Sequence, residues 1–194
     1  MSKSIDFYFD FISPYSYLAH KKVKVIKEKK KIIFNYKPIL VGGLHNLQKI
    51  IAPAFIKPKL KHMVSDCTLI AKKNNFDFFW NSKFPINSLN VMRGYLLINT
   101  DLKDIYLDMI FDAYWKDNLD ISIDKVLEPL LKKKNIDLNL FFTGIKDYKI
   151  KDELKNATQK ARNKNIFGVP TFSINNKIFW GQDRLEFALD EYNK

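Results

Sequence analysis

The sequence of 194 residues contains a single cysteine, Cys67. One cysteine excludes an internal disulfide bond, a zinc site built from cysteines and a two-cysteine redox centre. The three histidines, at positions 20, 45 and 62, follow no metal-ligand spacing, so we expect no structural metal site. Disulfide oxidoreductases are therefore excluded as a function class.

Arginine is almost as scarce, with three arginines against 30 lysines in a chain of net charge +12. Arginine provides most bidentate contacts to bases and phosphates, and the lysines here are spread along the whole chain. We therefore expect no specific nucleic-acid binding. The positive charge can still attract small anions.

Long apolar runs are also missing. The longest one, residues 50–56, contains Pro53 and is far too short to span a bilayer. Asp6 and Asp10 interrupt the N-terminal segment where a signal peptide needs an apolar region. We therefore expect a soluble cytoplasmic protein that does not associate with membranes.

The first recognisable unit is strand, helix, strand. In SIDFYFDFI (residues 4–12) the apolar residues alternate, which predicts a strand with Ile5, Phe7, Phe9 and Phe11 on one face. Ser13 and Pro14 then predict the start of a helix that runs to about Lys29, with Ser13 as its cap. KIIFNY (residues 31–36) predicts a second strand, which this connection makes parallel to the first.

The rest of the chain predicts helices followed by a hairpin. Helical periodicity dominates from about residue 57 to residue 164. TFSI and KIFW then flank Asn175-Asn176, a two-residue hairpin signal, and a last helix is predicted from Asp183 to Tyr192. This order indicates an α/β fold, in which an open mixed sheet carries an inserted helical subdomain.

The turn Ser13-Pro14-Tyr15-Ser16 is the first candidate site. It lies where thioredoxin-like proteins carry Cys-Pro-x-Cys, but serines occupy both sulfur positions. A helix N-terminus stabilises a thiolate, and the Ser13 hydroxyl can donate a hydrogen bond to it. The alternative is that Ser13 is only a helix cap; a serine nucleophile is disfavoured because no G-x-S-x-G motif is present.

Two C-terminal segments are further candidates. In FGVPTF, a cis Val169-Pro170 bond would expose the Val169 backbone for pairing with an extended peptide. In WGQDR, Asp183 can cap the last helix or accept an ammonium group, while Arg184 and the backbone amides of Gln182 and Asp183 can hold a carboxylate. The alternative for WGQDR is a helix cap beside a surface arginine.

DFYFDFISPYSYLA, FPINS followed by Met92-Arg93, and IFGVPTF with WGQDRLEF together resemble the 2-hydroxychromene-2-carboxylate isomerase family. That family belongs to the kappa-class glutathione transferases, which are relatives of the bacterial disulfide oxidoreductase DsbA. The resemblance covers essentially the whole chain, in order. It implies a thioredoxin-like fold with a large all-helical insertion, residues 1–56 and 165–194 forming the thioredoxin-like domain and residues 57–164 the insertion.

The resemblance also implies a homodimer that uses glutathione as its cofactor. Ser13 is the implied catalytic residue, which stabilises the glutathione thiolate, and Val169 before Pro170 pairs with the glutathione backbone. The segment that holds the γ-glutamyl end matches Trp180, Gly181, Gln182 and Asp183, with Arg184 adjacent. The implied activity is glutathione-dependent cis-trans isomerisation of a small electrophile that carries a carboxylate.

The sequence departs from the family pattern at three positions. An asparagine that contacts glutathione falls near Ile50, so that this contact is lost or taken by Asn46. The substrate-binding lysine falls near His45, and a substrate-facing tyrosine near Phe84. Two alternatives therefore stay open: a kappa-class transferase or peroxidase that acts on another electrophile, and a non-enzymatic module that binds peptides or anions.

Two further expectations concern the interior. We expect Cys67 to be a buried structural residue on a helix rather than a reactive thiol. We expect Trp115 and the aromatic residues among positions 76–80 to lie in the core or at a subunit interface.

Overall fold

The computed structural model describes residues 3–194, and its centre is a mixed sheet. In this part of the chain the sheet has four strands in the order β2-β1-β3-β4. The strands are β1 (Ser4–Phe9), β2 (Ile33–Pro38), β3 (Thr171–Ile174) and β4 (Lys177–Trp180). Strand β1 is parallel to β2 and antiparallel to β3, which is antiparallel to β4. The predicted parallel pair and the predicted hairpin are both confirmed.

Helices surround this sheet. The first, α1 (Pro14–Lys29), connects β1 to β2 over the predicted span. The others, in chain order, are α2 (Val41–Gln48), α3 (Lys57–Lys73), α4 (Leu89–Leu97), α5 (Lys103–Trp115), α6 (Asp124–Lys133), α7 (Leu138–Gly144), α8 (Tyr148–Asn163) and α9 (Leu185–Tyr192). In the sequence, helices α3 to α8 lie between β2 and β3, in the region where the periodicity predicts helices. The fold is thus α/β and thioredoxin-like, with a large helical part.

The core covers both faces of the sheet. The four alternating residues of the first strand region, Ile5, Phe7, Phe9 and Phe11, have no exposed surface and belong to the main core, as predicted. On the opposite face a smaller cluster joins β1 to α2 and α8; it contains Tyr8, Ile39, Leu44, Ala161, Ile166 and Val169. This second cluster brings the chain around Val169 towards the end of β1.

Several interior predictions hold. Cys67 is fully buried on α3, and the Trp115 indole N–H donates to the Phe11 carbonyl oxygen (2.8 Å) in the core.

In the hairpin, Asn175 and Asn176 have φ values of 50° and 61°, the left-handed conformation that a two-residue turn requires.

The last helix begins two residues later than predicted, at Leu185. Gly181, with a φ of 114°, turns the chain, and Gln182–Arg184 form one turn of 3-10 helix first. No side chain caps α9, so of the two roles considered for Asp183 the helix cap does not form.

No helix between residues 3 and 194 combines the length and the apolar character that crossing a membrane demands.

Candidate functional site

A cavity of about 1100 Å³ opens beside the N-terminus of α1. Its walls come from α2, from the first turns of α3, from the loop before α4 and from the segment before β3. Of the residues singled out in the sequence, the lining includes Ser13, His45, Asn46, Ile50, Phe84, Val169 and Trp180. The fold therefore brings residues from the beginning, the middle and the end of the chain to one cavity.

Ser13 lies at the base of this cavity with 9% of its surface exposed. Its Oγ accepts a hydrogen bond from the Ser16 N–H (3.1 Å), so it caps α1 as predicted. The same hydroxyl donates to the Val169 carbonyl oxygen (3.3 Å). Capping uses a lone pair and donation uses the hydrogen, so a ligand would compete with the Val169 carbonyl for this hydrogen and not with the cap.

The electrostatics of α1 favour an anion near Ser13. The first turn of the helix contains no acidic residue, while Lys27 and Lys29 lie in its last turn. The partial positive charge of the N-terminus is therefore not neutralised by a neighbouring carboxylate within the helix.

The Val169-Pro170 peptide bond, whose isomer the local sequence left open, is cis. The Pro170 carbonyl oxygen accepts from the Gly181 N–H (2.9 Å), which connects this turn to the end of β4. Phe167 and Trp180 pack beside it with ring centroids 4.9 Å apart and ring planes tilted by 57°, and a Cβ at Gly168 would approach the Trp180 Nε1 to 2.8 Å. Gly168 thus allows the indole to lie against the backbone at the rim of the cavity.

The segment after Trp180 turns away from the cavity. Gln182 is buried, and its side-chain oxygen accepts a hydrogen bond from Lys22 on α1. Asp183 and Arg184 are about half exposed and pair with each other (3.4 Å). Gly181 to Arg184 and Pro170 are not among the residues that line the cavity, so their contacts with glutathione stay predictions.

The positions that depart from the family pattern all face the cavity. His45 and Asn46 lie on α2, and burial lowers the pKa of the His45 imidazole. Phe84 packs against Trp80 and Trp115, with ring centroids 5.0 and 5.8 Å away. Ile50 lies where α2 has ended, in the apolar wall.

Sequence reasoning missed other lining residues. Asp10 is fully buried against the cavity, and Lys59 and His62 contribute ionisable side chains from α3. The Phe84-Pro85 bond before α4 is also cis. Asp10 had a visible signal, because it is a carboxylate in an apolar strand region three residues before Ser13. Lys59 had no such signal, since no pattern in the surrounding sequence distinguishes it from the other lysines.

Within residues 3–194, no group of three or more histidine, cysteine or carboxylate side chains is arranged to hold a metal ion.

Comparison with known proteins gives matches over nearly the whole chain. The 2-hydroxychromene-2-carboxylate isomerase of Sphingobium xenophagum is 27% identical over 99% of this chain and 98% of its own length. The protein of the same name from Pseudomonas putida is 22% identical over 93% of this chain and 90% of its own. A solved structure of a 2-hydroxychromene-2-carboxylate isomerase superimposes with a TM-score of 0.90 at 21% identity, covering 97% of this chain and 94% of that one.

The resemblance inferred from the motifs is thereby confirmed, and so is the thioredoxin-like fold. Residues 4–193 match the DsbA-like thioredoxin domain over nearly the full length of the chain. The chain belongs to the DsbA-like thioredoxin domain family.

Proposed function

We propose that this protein is a glutathione-dependent cis-trans isomerase that resembles 2-hydroxychromene-2-carboxylate isomerase. The observation that carries the proposal is the Ser13 hydroxyl, which lies at the N-terminus of a helix whose first turn has no acidic residue, opposite the Val169 carbonyl in a large cavity. The relatives that carry this name match the chain over nearly its whole length.

Two features of the cavity support glutathione as its ligand. The bond from Ser13 to Val169 is long, at 3.3 Å, so the hydroxyl hydrogen can turn to a thiolate at little cost. Ligand cavities span about 300–1,000 Å³, and this cavity, of about 1100 Å³, has room for glutathione together with a second small molecule.

Each part of the site has a role in this proposal. The chemistry that glutathione supplies is reversible addition of its thiolate to an unsaturated carbon, followed by rotation about the new single bond and elimination. Ser13 and the N-terminus of α1 hold the thiolate ionised near neutral pH. The apolar walls exclude water, and His45 and Lys59 offer hydrogen bonds or charge to a substrate carboxylate.

The test is substitution of Ser13. Loss of one charge-assisted hydrogen bond costs about 1.5–3 kcal/mol, so Ser13→Ala is expected to lower glutathione-dependent isomerisation about ten- to hundredfold. Calorimetry with glutathione and S-methylglutathione separates thiolate stabilisation from binding of the peptide, because the variant is expected to lose affinity for the thiol only.

Two control variants test whether the loss of a buried hydroxyl, or of a helix cap, lowers activity wherever it occurs. Ser16→Ala removes a buried hydroxyl whose Oγ has no hydrogen-bond partner in the described residues. Asp147→Ala removes the cap of α8, where the side chain accepts from the Lys149 N–H, and so repeats the loss of a helix cap away from the cavity. Both are expected to keep glutathione-dependent turnover. If wild type neither binds glutathione nor isomerises 2-hydroxychromene-2-carboxylate, the proposal is wrong.

A second candidate is a kappa-like transferase or peroxidase with a different electrophile. It is favoured by His45 and Phe84, which line the cavity where the family places a lysine and a tyrosine. Conjugation or peroxide reduction across a panel of electrophiles, without isomerisation, would support it. The homodimer stays a prediction from the resemblance.

A further inference from the structure

Asp10 is a buried carboxylate that the proposed function does not use. It follows β1, has no exposed surface and borders the cavity. Its backbone carbonyl oxygen accepts from the Ser13 N–H (3.1 Å), so it belongs to the turn that presents the Ser13 hydroxyl. A buried ionisable group costs free energy, so its hydrogen-bond partners indicate what it holds in place.

The carboxylate of Asp10 contacts three segments of the chain. Oδ1 accepts from the Ile12 N–H (3.1 Å) in the Ser13 turn, and Oδ2 accepts from the Val41 N–H (2.9 Å) at the start of α2. The buried Ser88 hydroxyl, at the start of α4, is a third polar neighbour, which favours the charged carboxylate and so lowers its pKa. Ser88 does not cap α4 with its side chain, so its hydroxyl is free for this contact. All three segments are walls of the same cavity.

We propose that Asp10 is a positioning residue of the glutathione site, whose ionised carboxylate holds the Ser13 turn, the start of α2 and the loop before α4 at fixed separations. The inference rests on the proposed function for the identity of the ligand. The contacts of the Asp10 carboxylate do not depend on which ligand the cavity binds.

The strength of the contacts made by Asp10 depends on whether its carboxyl group is ionised. The two backbone N–H groups can only donate, whereas the Ser88 hydroxyl can also accept. A proton on the carboxyl must therefore turn towards Ser88, and the oxygen that carries it becomes a poorer acceptor for its backbone partner. Burial raises the pKa of Asp10 to about 6, against the lowering effect of these hydrogen bonds. The arrangement is thus expected to loosen in a mildly acidic range.

Other ionisable groups surround the same space. Those that line the cavity are Tyr15 of α1, His45 of α2, and Lys59 and His62 of α3, while the charge of Asp10 also acts on Tyr114 of α5. Imidazole is the side chain whose usual titration range overlaps that of Asp10, so the two histidines need controls.

The first test uses Asp10→Asn, because a carboxamide resembles the protonated carboxyl in offering one acceptor and one donor group. The probe is S-methylglutathione, which has no thiol to titrate. Wild-type affinity is expected to fall as the pH drops through about 6, while Asp10→Asn binds about tenfold more weakly at neutral pH and shows no such change. His45→Gln and His62→Gln are expected to keep the pH dependence of wild type. Equal affinity and equal pH profiles for Asp10→Asn and wild type would overturn the proposal.

The second test needs no ligand and remains available if Asp10→Asn does not fold. In wild type without glutathione, the amide resonances of Ile12 and Val41 are expected to titrate together with a midpoint near pH 6. Ser88→Ala is expected to move that midpoint upwards, since it removes a hydrogen bond that favours the carboxylate. Amides that do not titrate would overturn the positioning role, whereas titrating amides in a protein that fails to bind glutathione would overturn only the proposed function.

Discussion

Cys67 illustrates at the scale of one residue how burial determines chemistry. It is fully buried on α3, and burial, together with the adjacent charge of Asp66, raises the pKa of its thiol. The thiolate is the reactive form, so we expect native protein not to react with a thiol reagent, and unfolded protein to react with one equivalent. Labelling with and without denaturant measures this, and Cys67→Ala, the control, is expected to react in neither state. Rapid labelling of the native protein would contradict the prediction.

Ser13 shows how much of one residue's role is local. Its position before Pro14 predicts a cap, and the Ser16 N–H does donate to it. The Val169 carbonyl that receives its hydrogen is 156 residues away in the sequence. No local pattern contains that contact, because it depends on the antiparallel pairing of β1 with β3.

At the scale of elements, Gly94 sets how closely α4 approaches its neighbours. A Cβ there would lie 2.5 Å from a ring carbon of Phe141 on α7, and closer still to the Tyr106 hydroxyl of α5. The Tyr106 hydroxyl donates to the Val91 carbonyl oxygen (2.9 Å), so it cannot move away without losing that bond. Gly94→Ala is therefore expected to lower the free energy of unfolding by about 1–3 kcal/mol in a denaturant titration.

The matched control for this prediction is Gly42→Ala in α2. A Cβ at Gly42 would meet no atom within 4 Å, so the change lowers only the flexibility of the unfolded chain. It is expected to raise the free energy of unfolding by about 0.5–1 kcal/mol. Equal effects of the two substitutions would show that the close packing of α4 is not what Gly94 provides.

At the scale of the whole molecule, His20 joins the sheet to the helical region. Its Nδ1 lies 2.7 Å from the Tyr36 hydroxyl on β2, and its Nε2 lies 2.8 Å from Asp108 on α5. A neutral imidazole satisfies both contacts by accepting from Tyr36 and donating to Asp108. Burial lowers the pKa of His20, so the folded protein disfavours its protonation.

This burial gives a pH dependence of stability with a definite sign. Unfolded His20 takes up a proton near pH 6.5 and folded His20 does not, so its contribution to stability is full above that pH and is lost below it. The loss is at most about 1.4 kcal/mol per pH unit. Asp10, whose pKa is raised to about 6, acts in the opposite direction between about pH 4 and pH 6, because the folded state binds its proton more tightly.

The measurement is the free energy of unfolding of wild type and His20→Gln between about pH 5 and about pH 7. Asp10 contributes equally to both proteins, so the difference between them isolates His20. Wild type is expected to lose more stability than His20→Gln as the pH falls. A constant difference across this range would contradict the neutral, buried histidine.

The sequence by itself determined those features of the fold that depend on neighbouring residues. Alternating apolar residues defined β1, Ser13-Pro14 defined the start of α1, and Asn175-Asn176 defined the hairpin, because each depends on residues only a few positions apart. The single cysteine, with serines at both sulfur positions, likewise excluded an internal disulfide and a two-cysteine redox centre, because both need a second sulfur in the chain however it folds.

The family resemblance assigned Ser13 and Val169 to one ligand site, but only the tertiary structure decided which other residues share the cavity with them. It placed Val169 beside Ser13, added Asp10 and Lys59, and turned Gln182 towards Lys22 instead. It also shifted the start of α9 past Asp183, since the chain reverses at Gly181. The physical reason is the separation along the chain of the residues that interact. Periodicity and capping act within one or two turns, whereas burial, pKa shifts and cavity walls arise from contacts that only the packed chain creates.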